Sequence, residues 1–184
     1  MRSPGVPAPQ AFRQQLLDAL PRVRRYARSL VHDVATGDDL VQTVMERALS
    51  HWHQFDQRRD VLVWLLSIAH NAYLDQLRRD RRLSLLAPAE LSAAQDAAVD
   101  HHAVADPGQR LDLLRALERL SADHREVLLL VGVEQLSYAE CAEVLQLPVG
   151  TVMSRLSRAR CALRAALDGS ARPVSKGALL RRVV

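Results

Sequence analysis

Between residues 83 and 108 the chain changes character, and that change limits every fold open to it. The stretch is Ala-rich, carries Glu90, Asp96, Asp100 and Asp106 without one Lys or Arg, and is punctuated by Pro88 and Pro107-Gly108. Such a segment reads as a flexible acidic linker between two folded units rather than as part of a core. On either side of it, apolar residues recur at helical spacing, and the alternating Val, Ile, Thr and aromatic runs of strands are missing. The expected fold class is all-α, in two small helical domains.

Residues 1–10 (MRSPGVPAPQ) are Pro-rich and are expected to be disordered. Residues 11–82 form the first domain. Its opening helix carries the stripe Leu16, Leu20, Val23, Ala27 and Leu30. A break at His32–Gly37 follows, and Asp38-Asp39-Leu40 is expected to start a second helix running to about Trp52. The stretch HQFDQRRD is polar and aperiodic, a loop. VLVWLLSIAHNAYLDQLRRDRR then begins apolar and ends basic, so one helix starts in a core and finishes at a polyanion. Residues 109–168 form the second domain: QRLDLLRALERL, then ADHREVLLLVGVE behind a Ser121 cap, then a helix opened by the capping-box sequence Ser137-Tyr138-Ala139-Glu140. The turn QLPVG leads into a last helix. The tail, residues 169–184, has no clear pattern.

Several function classes are excluded at this level. No apolar run approaches the roughly 20 residues that span a bilayer, and no signal-peptide pattern opens the chain, so a cytoplasmic protein without membrane insertion is expected. Cys141 and Cys161 stand apart from any CxxC or Cys/His cluster, and no metal or cofactor is expected. No carboxylate pair, Ser/His/Asp set or Gly-rich phosphate loop stands in a plausible setting, so the chain is not expected to be an enzyme. The net charge of +4 says little until its distribution is read. Residues 57–82 hold six arginines against three aspartates, residues 83–109 hold four acids alone, and residues 150–164 hold four arginines alone. The order is basic, acidic, basic.

The last helix, TVMSRLSRARCALRAAL, has four arginines and no carboxylate. Val152, Leu156, Ala159 and Leu163 make a narrow apolar stripe, with Thr151, Ser154, Arg155 and Arg158 beside it and Arg160 and Arg164 along its other edge. An ordinary surface helix mixes both signs of charge; this one is built to meet phosphate. A short helix, a turn and a longer helix rich in Thr, Ser and Arg follow helix-turn-helix logic, in which the start of the second helix enters the major groove.

LSYAECAEVLQLPVGTVMSRLSRARCAL resembles the promoter-recognition module of the extracytoplasmic-function sigma factors, the small two-domain members of the bacterial sigma-70 family. In the first half, DDLVQTVMERAL resembles their polymerase-clamp helix and VLVWLLSIAHNAYLDQLRRDRR their promoter-melting segment. The resemblance covers roughly residues 12–167 and makes 11–82 a sigma-2-like domain and 109–168 a sigma-4-like helix-turn-helix domain. It implies a protein that binds core RNA polymerase at the β′ clamp and β flap, directs it to specific promoters and helps open the DNA, restrained by an anti-sigma factor.

By the same resemblance, Asp38, Asp39, Gln42 and Arg47 would meet the clamp; Asp38 and Asp39 also read as N-terminal helix caps. The family has Glu where Thr43 stands here. The minus-10 element would be read by Phe55 and Arg58 in the loop, by His70 and Asn71 at base edges, and by Arg78, Arg79, Arg81 and Arg82 at phosphates. Trp64 reads as core, while Trp52 and Tyr73 suit either packing or stacking on bases. Thr151, Ser154, Arg155, Ser157 and Arg158 would read the minus-35 element as duplex, with Met153 where the family often has a basic residue. The acidic linker would either thread toward the RNA path or serve only as a soluble spacer. The main alternative is a helix-turn-helix regulator that never enters the polymerase, which leaves the basic first half unexplained. A sigma-mimicking adaptor would keep the fold, but it should have lost the arginines retained here.

Overall fold

A computed structural model describes residues 7–31, 33–86 and 107–168, and the side chains within them except at 84–86 and 107–111. Expectations for residues 1–6, for most of the linker and for the tail from 169 lie outside the described residues. Among those described, every regular element is helical. In the first half these are α1 (Gln10–Leu30), α2 (Val34–Ser50), a 3₁₀ turn (Trp52–Gln54) and α3 (Val61–Leu86). The second half has α4 (Pro107–Glu118), α5 (Ala122–Leu128) running into a π turn (Leu129–Val133), α6 (Tyr138–Leu145) and α7 (Val149–Leu167).

The stripe of α1 does what its period demands. Leu16, Val23, Ala27 and Leu30 are buried with Phe12, Ala19 and Tyr26, and Leu20 packs at the margin of the core. Helix α2 begins earlier than the sequence suggests. Asp33 caps it, its carboxylate accepting from the Thr36 N–H at 2.7 Å, so Asp38 and Asp39 lie past the first turn and cap nothing. The expected break at Gly37 is instead a close approach. A Cβ there would stand 2.9 Å from Cγ and 3.1 Å from Cα of Arg28, so glycine lets α2 lie against α1. Phe12, Phe55 and Trp64 form an aromatic cluster, with ring centroids 5.2–6.0 Å apart, that closes the base of the loop before α3.

In the second half, Ser121 caps α5 and Ser137 with Glu140 completes a capping box on α6, as expected. The buried Arg125 guanidinium donates to the carbonyls of Leu117, Glu118 and Leu120, where α4 ends. Val152, Leu156 and Ala159 of α7 are buried, and Leu163 is half-buried. The two halves are not separate globules. One hydrophobic cluster runs from Ala8 through the first half to Ala159, joined where α3 lies on α6 and where α1 meets α5 and the π turn.

Candidate nucleic-acid interface

The turn into α7 is set by Gln146 in the left-handed region (φ 54°), whose N–H bonds back to the Glu143 carbonyl while the Leu147 N–H reaches that of Ala142. Pro148 then fixes the start of α7. Ser154, Ser157 and Arg158 are exposed and Thr151 is half-exposed, so four of the five residues expected to face duplex DNA share an open face. Arg158 Nε donates to the Ser154 carbonyl at 3.2 Å, which lays its side chain along the helix. Arg155 differs: its side chain is only 28% exposed, and Nη1 lies 3.4 Å from Asp123 Oδ2 on α5. Asp123 escaped the sequence reading because nothing local links it to a position on α7. Val149 and Met153 stand exposed beside the arginines, putting apolar surface on the same end of the helix.

The first half presents a cleft of about 360 Å³ lined by Arg47, His51, Gln54, Trp64, Ile68 and Asn71. The sequence points to Asn71 for base contact and to Arg47 for the clamp; the geometry brings them together with His51, Gln54 and Ile68, none of which it assigns to base contact. Arg47 lies 3.7 Å from Asp75, and its carbonyl lies 2.9 Å from His51 Nδ1. Phe55 is buried behind Trp64 and supports the loop from inside rather than forming an exposed wall. Arg58 is exposed on that loop, and Arg78, Arg79, Arg81 and Arg82 are exposed at the far end of α3. Arg78 is partly neutralised by Asp75 at 3.2 Å.

His70 does not face outward. It is 7% exposed, and its Nδ1 lies 2.6 Å from Glu126 Oε1 on α5, the same oxygen that accepts from the Tyr26 hydroxyl at 2.6 Å. Burial beside that carboxylate pushes the Tyr26 phenol well above its ordinary range. Tyr73 is buried too and has no free face for a base.

The acidic pair on α2 divides in the same way. Asp38 receives paired N–H bonds from Arg24 (3.0 and 2.8 Å) and from Arg28 (3.0 and 2.9 Å), which hold its carboxyl far below the usual carboxylate range. Asp39 is exposed and lines a groove between α2 and α3 with Thr43, Gln76, Arg79 and Asp80. Gln42 is exposed and donates to Glu46 at 2.9 Å. Among the described residues no His, Cys, Asp or Glu group could hold a metal ion, and no helix is long and apolar enough to cross a membrane.

Comparisons with known proteins agree with this arrangement. Residues 110–163 match the family described as sigma-70, region 4, and residues 16–70 match the sigma2 domain of PhyR. The chain is 34% identical over 172 residues to the ECF RNA polymerase sigma factor EcfG of Rhodopseudomonas palustris, an alignment covering 90% of this chain and 91% of that one. It is 30% identical over 151 residues to the RNA polymerase sigma factor CarQ of Myxococcus xanthus, covering 82% and 86%. Among solved structures, the sigma factor RpoE in complex with the anti-sigma factor NepR from Bartonella quintana superposes with a TM-score of 0.77 at 31% identity, over 87% of this chain and 98% of that one.

Proposed function

The chain belongs to the extracytoplasmic-function RNA polymerase sigma factors, and on that premise we propose how its surfaces divide the work. It binds core RNA polymerase, directs it to a class of promoters and helps open the DNA. The work is regulatory rather than catalytic and takes place in the cytoplasm, where polymerase and chromosome are. The observation that carries this reading is the end-to-end likeness to EcfG, which spans both halves and not the helix-turn-helix alone.

Residues 109–168 act as the upstream reader. The exposed N-terminal face of α7 enters the major groove, Thr151, Ser154, Ser157 and Arg158 meet phosphates and base edges, and Asp123 steadies Arg155 beside them. Exposed Met153 and Val149 favour apolar contact with a thymine methyl there. Residues 11–82 act as the downstream reader. The cleft beside Asn71 is wide enough for a planar base extruded from the melted strand, with Trp64 and Ile68 as floor and Asn71 and Gln54 as polar edges. Arg58, Arg78, Arg79, Arg81 and Arg82 hold backbone phosphate. Asp39 and Gln42 meet the polymerase β′ clamp, while Asp38 braces α2 against α1. The upstream reader also rests on the β flap. RpoE in the matched structure is held by NepR, and an anti-sigma factor is the partner expected here.

Transcription with purified core polymerase from a randomised promoter library is the test. Selective, core-dependent initiation at a shared two-part sequence is the expected result. Tight duplex binding without core would instead make the chain an operator-binding regulator, and no DNA-directed activity at all would make it a sigma mimic.

A further inference from the structure

Four arginines stand on α7, and among the described residues only Arg155 is paired with a carboxylate. Its partner is Asp123 in the first turn of α5, with Asp123 Oδ2 3.4 Å from Arg155 Nη1. An ion pair whose acid is 65% exposed adds little to stability. Its place also works against general affinity for DNA. Arg155 lies within one turn of Thr151 and Arg158, on the flank expected to face the upstream element, so an acid tied to it repels the phosphates that α7 is built to meet. The first turn of a helix favours an acid, but that preference does not aim the carboxylate at α7.

Which nitrogen is held decides what the pair can do. An arginine presents two donors side by side along its Nε–Nη2 edge, and that edge matches two acceptors of one planar group. The molecule uses it so elsewhere: Arg24 and Arg28 each set Nε and Nη2 on Asp38, and Arg25 sets them on Glu134. Arg158 turns its own edge back on Ser154 of the same helix. Arg155 is held by Nη1, and its Nε and Nη2 meet no acceptor among the described residues. Its side chain is only 28% exposed where α5 packs on α7, so it is restrained with the pairing edge left free. In the major groove, O6 and N7 of guanine are the two acceptors that fit that edge.

We propose that Asp123 is a positioning residue for promoter recognition: by holding Arg155 Nη1 it aims the free Nε–Nη2 edge at O6 and N7 of one guanine in the upstream element, which sharpens selectivity and lowers affinity for DNA in general. This rests on the sigma reading for the docking of α7, so the experiment separates the two.

The full chain with core polymerase is assayed for initiation on a promoter library randomised upstream. The preferred template is then rebuilt with 7-deazaguanine, which lacks N7, at the guanine in question. The parent should prefer guanine at one position by roughly tenfold and lose about fivefold on the 7-deaza template. R155A should lose the preference and transcribe the two templates equally. D123N keeps the shape and removes the charge; it should cut the preference to about twofold, while the holoenzyme binds off-sequence duplex about twofold more tightly at low salt. D123E should restore most of the preference. A residue that only props the fold would weaken all templates alike and lower the melting temperature. The proposal falls if D123N keeps the parent's preference or weakens every template evenly. It falls equally if the parent favours no guanine upstream, or if R155A still senses the missing N7. Should the chain select the same guanine without polymerase, and polymerase add nothing, the sigma reading fails while the Asp123–Arg155 pair stands.

Discussion

Asp38 and Asp39 are neighbours in sequence and opposites in surroundings. The doublet reads as one acidic patch, and only the fold separates an internal brace from an outward charge. The brace depends on Arg24 and Arg28, on another helix, which no local pattern connects to Asp38. Asp39→Arg is expected to weaken pull-down of core polymerase about tenfold with unchanged helical content, whereas Asp38→Asn should lower the melting temperature by a few degrees and act on polymerase binding only through that loss. Acid should expose the difference. The folded carboxyl of Asp38 lies far below its unfolded value of about 3.9, so its stabilising effect is complete above that value, declines below it and is lost only as pH falls through the folded value. The ion pairs are partly open to water, so the effect is small, about 1 kcal/mol. Melting points of parent and Asp38→Asn should draw closer between pH 7 and 3 without meeting, because the folded carboxyl is still ionised at pH 3; curves that stay equally far apart at pH 3 would remove Asp38 from the account. His70 and Phe55 teach the same lesson. Their residue types suit base contact, but packing beside Glu126 of α5 and the aromatic cluster bury them.

At the level of elements, the signals that are local in sequence are the ones that could be read beforehand. The Ser137–Glu140 capping box forms with both reciprocal bonds, at 3.2 and 2.8 Å, and Ser121 caps α5. Helix α2 starts earlier than its sequence suggests, at Val34, because Gly37, which looks like punctuation, sits inside it and admits Arg28. The π turn at Leu129–Val133 escaped notice because its residues continue the apolar period of α5. Gln135 and Gln146 both adopt left-handed φ, at 57° and 54°, and both are exposed. For an L-residue this costs roughly 1–2 kcal/mol, and glycine returns somewhat less through its freer unfolded chain. Gln146→Gly is therefore expected to raise stability by up to about 1 kcal/mol and the melting temperature by a few degrees, whereas Ser137→Ala should lower stability by about 1 kcal/mol. A Gln146→Gly protein that melts below the parent would show that the side chain contributes in a way its geometry hides.

For the molecule as a whole, the two-unit plan and the sites of positive charge were legible, because composition and period carry them. How the units face each other was not, since Glu126, Glu134 and Glu143 look like ordinary helix-surface acids until Tyr26, Arg22, Arg25 and Arg59 arrive from the other half. Two predictions belong at this scale. Asn71→Ala is expected to leave assembly with core intact and to reduce opening of duplex promoter several-fold, with a pre-melted template restoring most transcription; equal loss on both templates would give Asn71 a structural role. In a library randomised upstream, Arg155→Ala and Arg158→Ala should each relax preference at one or two positions, by about 1–3 kcal/mol, whereas Arg164→Ala should weaken binding evenly and lower its salt dependence. If all three keep the parent's preference, α7 is not the reader.

Glu134 and Glu143 of the second half tie to Arg22, Arg25 and Arg59 of the first across one seam. Donors and acceptors lie on a single chain, so the seam closes at the same odds in a dilute solution as in a crowded one.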